Sequence, residues 1–306
     1  MAEALAAGRP QTAGLDRTGL LCLSGSVLFL SSGWPLTKLA IEHGTAPLWF
    51  AESRAGFSAL VTFVLVAASG RLRLPRRGDL PALFAVGGLQ TGLFFVFSHI
   101  AVGFVQAGRT AVLANTTTYF VVPLSLIVLH ERIPPRRWLA ALLGVAGVAV
   151  LMGPWSIDWN SPGVLVGHLF LLLAGLAFAI AIVVVRAAPP RSAMFCLLPW
   201  CFAIASLVVL PLLLIEAPGG SLGRDAVSWS GILYVGLLAG PLGTWGIVEA
   251  TMRLPTVVSS VGFLATPAVG LILSNLILGE PLTPDLLGGS ALILGGVALA
   301  ALPARR

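Results

Sequence analysis

The chain has 306 residues, of which 57% are hydrophobic and only 10% charged, and its mean hydropathy is +0.97. Soluble domains carry about 25% charged residues, so these few charges cannot cover a water-facing surface, and lipid must be the solvent for most of the chain. The net charge of +6 does not signal nucleic acid, because 17 of the 18 basic residues are Arg, the other is Lys38, and most sit in short gaps between apolar runs. That placement is a topology signal rather than a DNA-binding face. The expected partners are therefore membrane lipid and a small-molecule substrate, with no nucleic acid.

Crossing a hydrocarbon core of ~30 Å takes ~20 apolar helical residues. Ten such runs follow one another, at about 19–42, 46–69, 80–103, 107–129, 138–153, 164–186, 194–215, 229–250, 256–278 and 285–302. The expected fold class is an all-α polytopic membrane protein. The first run is long and others follow, so residues 1–18 read as a cytoplasmic tail rather than a cleaved signal. Cys22, Cys196 and Cys201 lack metal-ligand spacing and form no even-numbered disulfide set; they read as core thiols.

The first span places Ser31, Trp34 and Lys38 on one face, and Pro35 interrupts its hydrogen bonding. Lys38 has three readings: a contact to a substrate carboxylate, a gate through Glu42 or Glu52, or a snorkelling ammonium. In the second span Glu52 and Arg54 point about 200° apart and cannot pair face to face; Arg54 is expected to cap neighbouring helices. The third span sets Gln90, Phe94 and Phe97 on one stripe and Thr91, Phe95 and His99 on the next. One stripe should face a cavity suited to a flat-ringed, amphipathic substrate. His99 is expected as a neutral buried imidazole, with proton coupling as the other reading.

The fourth span holds Asn115-Thr116-Thr117-Thr118-Tyr119, the most polar stretch of any span. Asn115, Thr118 and Tyr119 share a face and could hydrogen-bond a zwitterion. Pro123 and, in the ninth span, Pro267 are expected bending points. In the eighth span Trp245 is a candidate stacking wall, and Glu249 is expected to pair with Arg253 at i+4. Small-residue runs such as Gly144-x-x-Gly147 permit close helix approach.

An offset of 149 residues aligns Thr117 with Thr266, Ser125 with Ser274, Glu131 with Glu280, Pro135 with Pro284, and Gly147-Val148-Ala149 with Gly296-Val297-Ala298. Each copy holds five spans, an odd number, so the second must enter the membrane from the other side. Inverted repeats of this kind are a recurring plan of secondary transporters. The division expected is a first repeat at 19–153, an outer linker at 154–163, a second repeat at 164–303 and a tail at 304–306. With both termini in the cytoplasm, fourteen of the eighteen basic residues fall on the inner side, as the positive-inside rule asks.

Leu129-His130-Glu131-Arg132-Ile133-Pro134-Pro135 and Leu278-Gly279-Glu280-Pro281-Leu282-Thr283-Pro284, each lying between the fourth and fifth spans of its copy and followed by a Gly-rich last helix, resemble the EamA family of the drug/metabolite transporter superfamily. Arg54 and Ala250-Thr251-Met252-Arg253-Leu254-Pro255 also resemble family patterns, while His130 stands where a Gly is usual. The resemblance implies a basket of ten helices around a central cavity, lined by the first four helices of each half. It also implies export of amino acids or related metabolites, with aromatic amino acids the nearest match.

No HExxH or GKS/GKT pattern occurs, and Gly219-Gly220-Ser221-Leu222-Gly223, which matches GxSxG in letters, lies in a short gap between apolar runs rather than at a strand-to-helix elbow, so neither an enzyme nor an ATPase is expected, and no metal or cofactor. The expectation is an exporter in a bacterial inner membrane, working by alternating access on neutral amino acids. The rivals are a passive channel, an intramembrane enzyme and a carrier of lipids or sugar nucleotides. Substrate contacts are expected from Trp34, Lys38, Gln90, Phe94, Phe95, His99, Asn115, Thr118, Tyr119 and Trp245, with Pro35, Pro123 and Pro267 as gating hinges. The sequence leaves coupling and oligomeric state open.

Overall fold

A computed structural model describes residues 16–129, 135–151, 161–254, 262–263 and 265–301. Among them run ten helical rods and no β-strand. These are α1 (Arg17–Glu42), α2 (Pro47–Ala68), α3 (80–104), α4 (107–129), α5 (Pro135–Leu151), α6 (Val164–Ala187), α7 (Met194–Glu216), α8 (226–253), α9 (Ala265–Leu278) and α10 (Pro284–Ala301). Seven are long and apolar enough to cross a bilayer, and Leu142–Leu151 and Ala265–Leu278 are shorter apolar pieces. Each expected span lies within three residues of a rod at both ends, except the ninth, whose first residues fall largely outside the described ones. The expected linker at 154–163 also lies mostly outside them, as do His130, Glu131 and Pro255.

Local chemistry sets several of these ends. Asp16 accepts from the Thr18 amide at 3.0 Å and starts α1. Pro47 opens α2 at a position where a missing N–H costs nothing. Asp225 accepts from the Ser228 amide at 2.8 Å and starts α8. Within the rods, hydroxyls bond back to the carbonyl four residues earlier, as Ser26 does to Cys22, Thr37 to Gly33, Thr62 to Ser58 and Ser274 to Gly270. Each hydroxyl thus meets its need within its own helix.

The packing repeats itself. α2 lies on α7, α4 on α9 and α5 on α10, while α1 packs on α8 and α9 just as α6 packs on α3 and α4. Exchanging α1–α5 for α6–α10 returns the same set of neighbours. Five crossings reverse the chain's direction, so the two sets run inverted. Both α3 and α8 widen into π-helix, beginning at Ala85 and at Tyr234, the same 149-residue offset found in the sequence. The α5–α10 pair meets at glycines: a Cβ on Gly147 would lie 2.8 Å from the Gly289 carbonyl oxygen.

The loops clamp the halves at both ends. Where α1 ends, the Trp49 indole of α2 donates to the Ala217 carbonyl at 3.0 Å. Where α1 begins, the Trp200 indole of α7 donates to the Arg73 carbonyl at 3.1 Å. On that same side Asp79, fully covered although it sits at the rim of the bundle, accepts from the Arg76, Arg191 and Ser192 amides and the Ser192 hydroxyl. Burial pushes its carboxyl up, but these hydrogen bonds outweigh burial and bring it down to about 2.

Two stability tests follow from these contacts. Asp79→Asn should lower the melting temperature in detergent by a few degrees at neutral pH. Because the folded carboxyl titrates below its ordinary value of 3.8, the stabilisation is complete above that value and is lost only as pH falls toward about 2. The difference between wild type and Asp79→Asn should therefore stay flat between about pH 5 and 8. A second pair of variants probes the α3–α7 contact. A Cβ on Gly87 would lie 2.8 Å from the Cys201 carbonyl oxygen, whereas one on Gly88 meets nothing within 4 Å. Gly87→Ala should cost about 1–3 kcal/mol, and Gly88→Ala should be neutral or slightly stabilising, read as thermal melts in the same detergent.

Candidate functional site

Helices α1, α3 and α6 meet through a chain of rings. Trp34 stands edge-on to Phe94 at 6.3 Å between centroids, and Phe94 stands edge-on to Phe178 at 5.5 Å. Phe97 stacks on Phe170 of α6 at 5.7 Å. Trp34, Gln90, Phe94 and Phe178 are all only partly covered. Gln90 sits in the π-helical stretch, and no described residue hydrogen-bonds its amide. An unsatisfied amide beside half-open aromatic faces can hold a flat, amphipathic molecule.

One turn toward the far end, α2 adds a charge. The Arg54 guanidinium carbon lies 4.3 Å from the centre of the Phe95 ring. Arg54 does not cap a helix end, as the sequence suggested. No described residue gives it a hydrogen bond or ion pair, and its Nε is fully buried. The side chain lies deep in the bundle yet keeps part of its surface uncovered. Glu52 does not neutralise it, because its carboxylate turns to α7 and accepts from the Ser206 hydroxyl. A guanidinium over a ring gains ~2 kcal/mol or somewhat more when desolvated, whereas taking the ion out of water costs several kcal/mol.

His99 is fully buried, its Nδ1 is 2.7 Å from the Phe95 carbonyl oxygen, and its ring is sandwiched between Phe50 and Phe95. It is a core imidazole, and Phe95, 6% exposed, is the floor under Arg54. Lys38 donates to the Val102 carbonyl at 2.9 Å and lies 3.9 Å from Glu42. It fastens α1 to the end of α3; Glu52 plays no part in it.

The polar stretch of α4 spends its groups locally. Asn115 donates to Ala111, and Thr116 and Thr117 bond to the carbonyls three residues back, where the helix tightens into a 3-10 turn at Ala114–Thr116. The side chain of Thr118 is not among the described ones. Tyr119 corrects the sequence reading: it is 8% exposed and its hydroxyl donates to the Ile293 carbonyl of α10 at 2.5 Å. Gly144 of α5 makes room for that ring. The shared face of Asn115 and Tyr119 thus does not act as one binding surface.

Trp245 is a second correction. It is 39% exposed and lines a groove of about 240 Å³ between α1 and α8, with Leu21, Cys22, Gly25 and Phe29. It does not join Trp34 and Phe94. Its neighbour Glu249 does pair with Arg253, at 2.6 Å. The rods α1 and α4 run on through Pro35 and Pro123, and Pro267 sits inside the described part of α9. Ser31 of α1 donates to the carbonyl of Thr266, just before Pro267, at 2.8 Å.

Sequence reasoning missed the ties between halves at the far end. Glu280 accepts from the Ala107 and Gly108 amides at 2.6 and 2.8 Å, at the start of α4. A carboxylate there meets the positive end of the helix. Arg109 pairs with Asp285 of α10 at 3.0 Å and donates to the Leu151 carbonyl that ends α5. The repeated Glu at 131 and 280 was the one signal of this tie visible in the sequence. Ser32 and Tyr234, bonded at 2.8 Å between α1 and the π-helical stretch of α8, carried no such signal.

Comparison with known proteins agrees with this architecture. A solved crystal structure superposes with a TM-score of 0.61 over 91% of this chain and 98% of its own, at 20% identity. An uncharacterized transporter from Archaeoglobus fulgidus is 25% identical over 269 residues, 86% of this chain and 93% of the relative. Protein PecM of Dickeya dadantii is 27% identical over 73% of this chain and 74% of its own. The pseudopaline exporter CntI of Pseudomonas aeruginosa is 28% identical over 56% of this chain and 60% of its own. The EamA-like transporter family matches twice, over residues 17–153 and 165–302. These two stretches take in nearly all of both sets of five helices, and the chain belongs to the EamA-like transporter family.

Proposed function

We propose that this transporter exports small metabolites, amino acids with aromatic or other neutral side chains foremost, by alternating access between its two inverted halves. The observation that carries the reading is the ring chain Trp34–Phe94–Phe178. It joins α1 and α3 of one half to α6 of the other, so anything bound there touches both moving parts. CntI, a relative over part of the chain, is named as an exporter, which supports the direction.

The site lies near mid-bundle. Trp34 and Phe94 stand eight and ten residues from the ends of their rods at Glu42 and Phe104, or roughly 12–15 Å at 1.5 Å per residue. Ties across the halves close both ends: Trp49, Glu280 and Arg109 on one side, and Asp79 and Trp200 on the other. Exchange between two sets of such ties is the conformational change the reading requires. The Arg-rich loops support a reading with both termini in the cytoplasm and the protein in a bacterial inner membrane.

Counterflow in proteoliposomes tests the reading. Vesicles preloaded with phenylalanine or tryptophan should accumulate the labelled amino acid transiently, which neither a channel nor an enzyme can do. Trp34→Ala should raise the KM of that exchange about 2- to 12-fold, the equivalent of one aromatic contact, with a smaller change in maximal rate. Counterflow by none of a panel of amino acids would reject this substrate assignment.

A further inference from the structure

The charge at Arg54 has no counterpart among the described residues, and that imbalance says what the site takes. A guanidinium stays protonated in any protein environment, unlike a hydroxyl or an imidazole, which can go unpaired as neutral groups. An ionisable group inside a membrane protein is expensive and persists where it serves a pathway or a ligand. No described carboxylate neutralises Arg54. Glu52 turns to Ser206 on α7, and Glu42 is beside Lys38. His99 is committed through Nδ1 to the Phe95 carbonyl.

The neighbours of Arg54 give the rest of the ligand. The guanidinium carbon lies 4.3 Å from the Phe95 ring centre and the side chain keeps part of its surface uncovered, and a carboxylate matches the guanidinium fork with two parallel hydrogen bonds. Phe94 precedes Phe95 on α3, 6.5 Å between centroids, and leads to Trp34. We infer that the Arg54 guanidinium, lying over Phe95 without another partner, receives the carboxylate of an organic acid whose apolar body rests against Trp34 and Phe94. The inference rests on the reading of this same place as the substrate site, and it sharpens that reading. The carboxylate nearest along the helix, Glu52, is engaged by Ser206 through one oxygen and keeps the other, Oε2, buried without a partner among the described residues; the cation the site offers an organic acid is Arg54.

The test uses the purified full-length protein in detergent and two probes of one shape, 3-phenylpropanoate and 3-phenylpropanamide, with affinities measured by calorimetric titration. The acid should bind wild type at least about tenfold tighter than the amide, as a desolvated charge-assisted pair requires. The ratio should fall toward one in Arg54→Gln, remain in part in Arg54→Lys, and survive in Lys38→Gln. A wild-type ratio near one, binding of neither probe, or a ratio unchanged in folded Arg54→Gln overturns the assignment. So does loss of the ratio in Lys38→Gln, a result readable even if Arg54→Gln does not fold. Counterflow is scored separately. Exchange without preference for the acid removes Arg54 from the site and leaves the transporter. Preference for the acid without exchange keeps the Arg54 site and removes transport.

Discussion

Lipid offers no hydrogen bonds, and this one deficit organises the molecule. Every polar group carried into the bundle must find its partner inside it. The hydroxyls of Ser26, Thr37, Thr62 and Ser274 find theirs one turn back along their own helix. The charges of Arg109, Asp285 and Glu280 find theirs across the two halves, on each other and on exposed helix ends. A few buried atoms, Glu52 Oε2, His99 Nε2 and His168 Nε2 among them, find none, and Arg54 is a cation that meets only a ring face among the described residues. A place where the general rule fails is where function is to be sought.

The same deficit explains why the ends of the bundle are tied by side chains reaching to backbone. Helix termini leave carbonyl and amide groups unpaired, and in this chain the other half answers them. Trp49 reaches the carbonyl after α7, Trp200 a carbonyl in the loop after α2, and Glu280 the amides of α4. Interactions of this kind are local and few, and the proposed alternating access would exchange a set at one end for its counterpart at the other while the packed faces between α2 and α7 and between α5 and α10 stay in place.

Hydropathy made the rods legible, since lipid demands apolar runs of fixed length, and the ends of the runs fell on helix ends. The offset of 149 residues was legible for the same reason that the π-helical stretches share it: both halves meet equivalent neighbours. Trp34 and Phe94 were both among the expected cavity residues, but spacing left open which of the two stripes on the third span faces the centre, and their contact belongs to the assembled bundle. Tyr119 was not readable. Its position on the polar face of α4 says nothing about Gly144, and it is the missing side chain on α5 that draws the ring outward to α10. Trp245 misled for a related reason, since period alone cannot tell a helix face turned to the centre from one turned to a groove beside α1. Arg54 was placed on the right helix but given a capping role, because the partners it lacks are a property of the assembled bundle.

The central claim is that one site between two inverted halves is reached in turn from each side of the membrane. A single cysteine at Gln90, in a chain with Cys22, Cys196 and Cys201 replaced by Ala, reports on this directly when a membrane-impermeant thiol reagent is applied to oriented vesicles. The account predicts labelling from either side, one side at a time, with substrate slowing both. Labelling from one side only, whatever the substrate gradient, would contradict it.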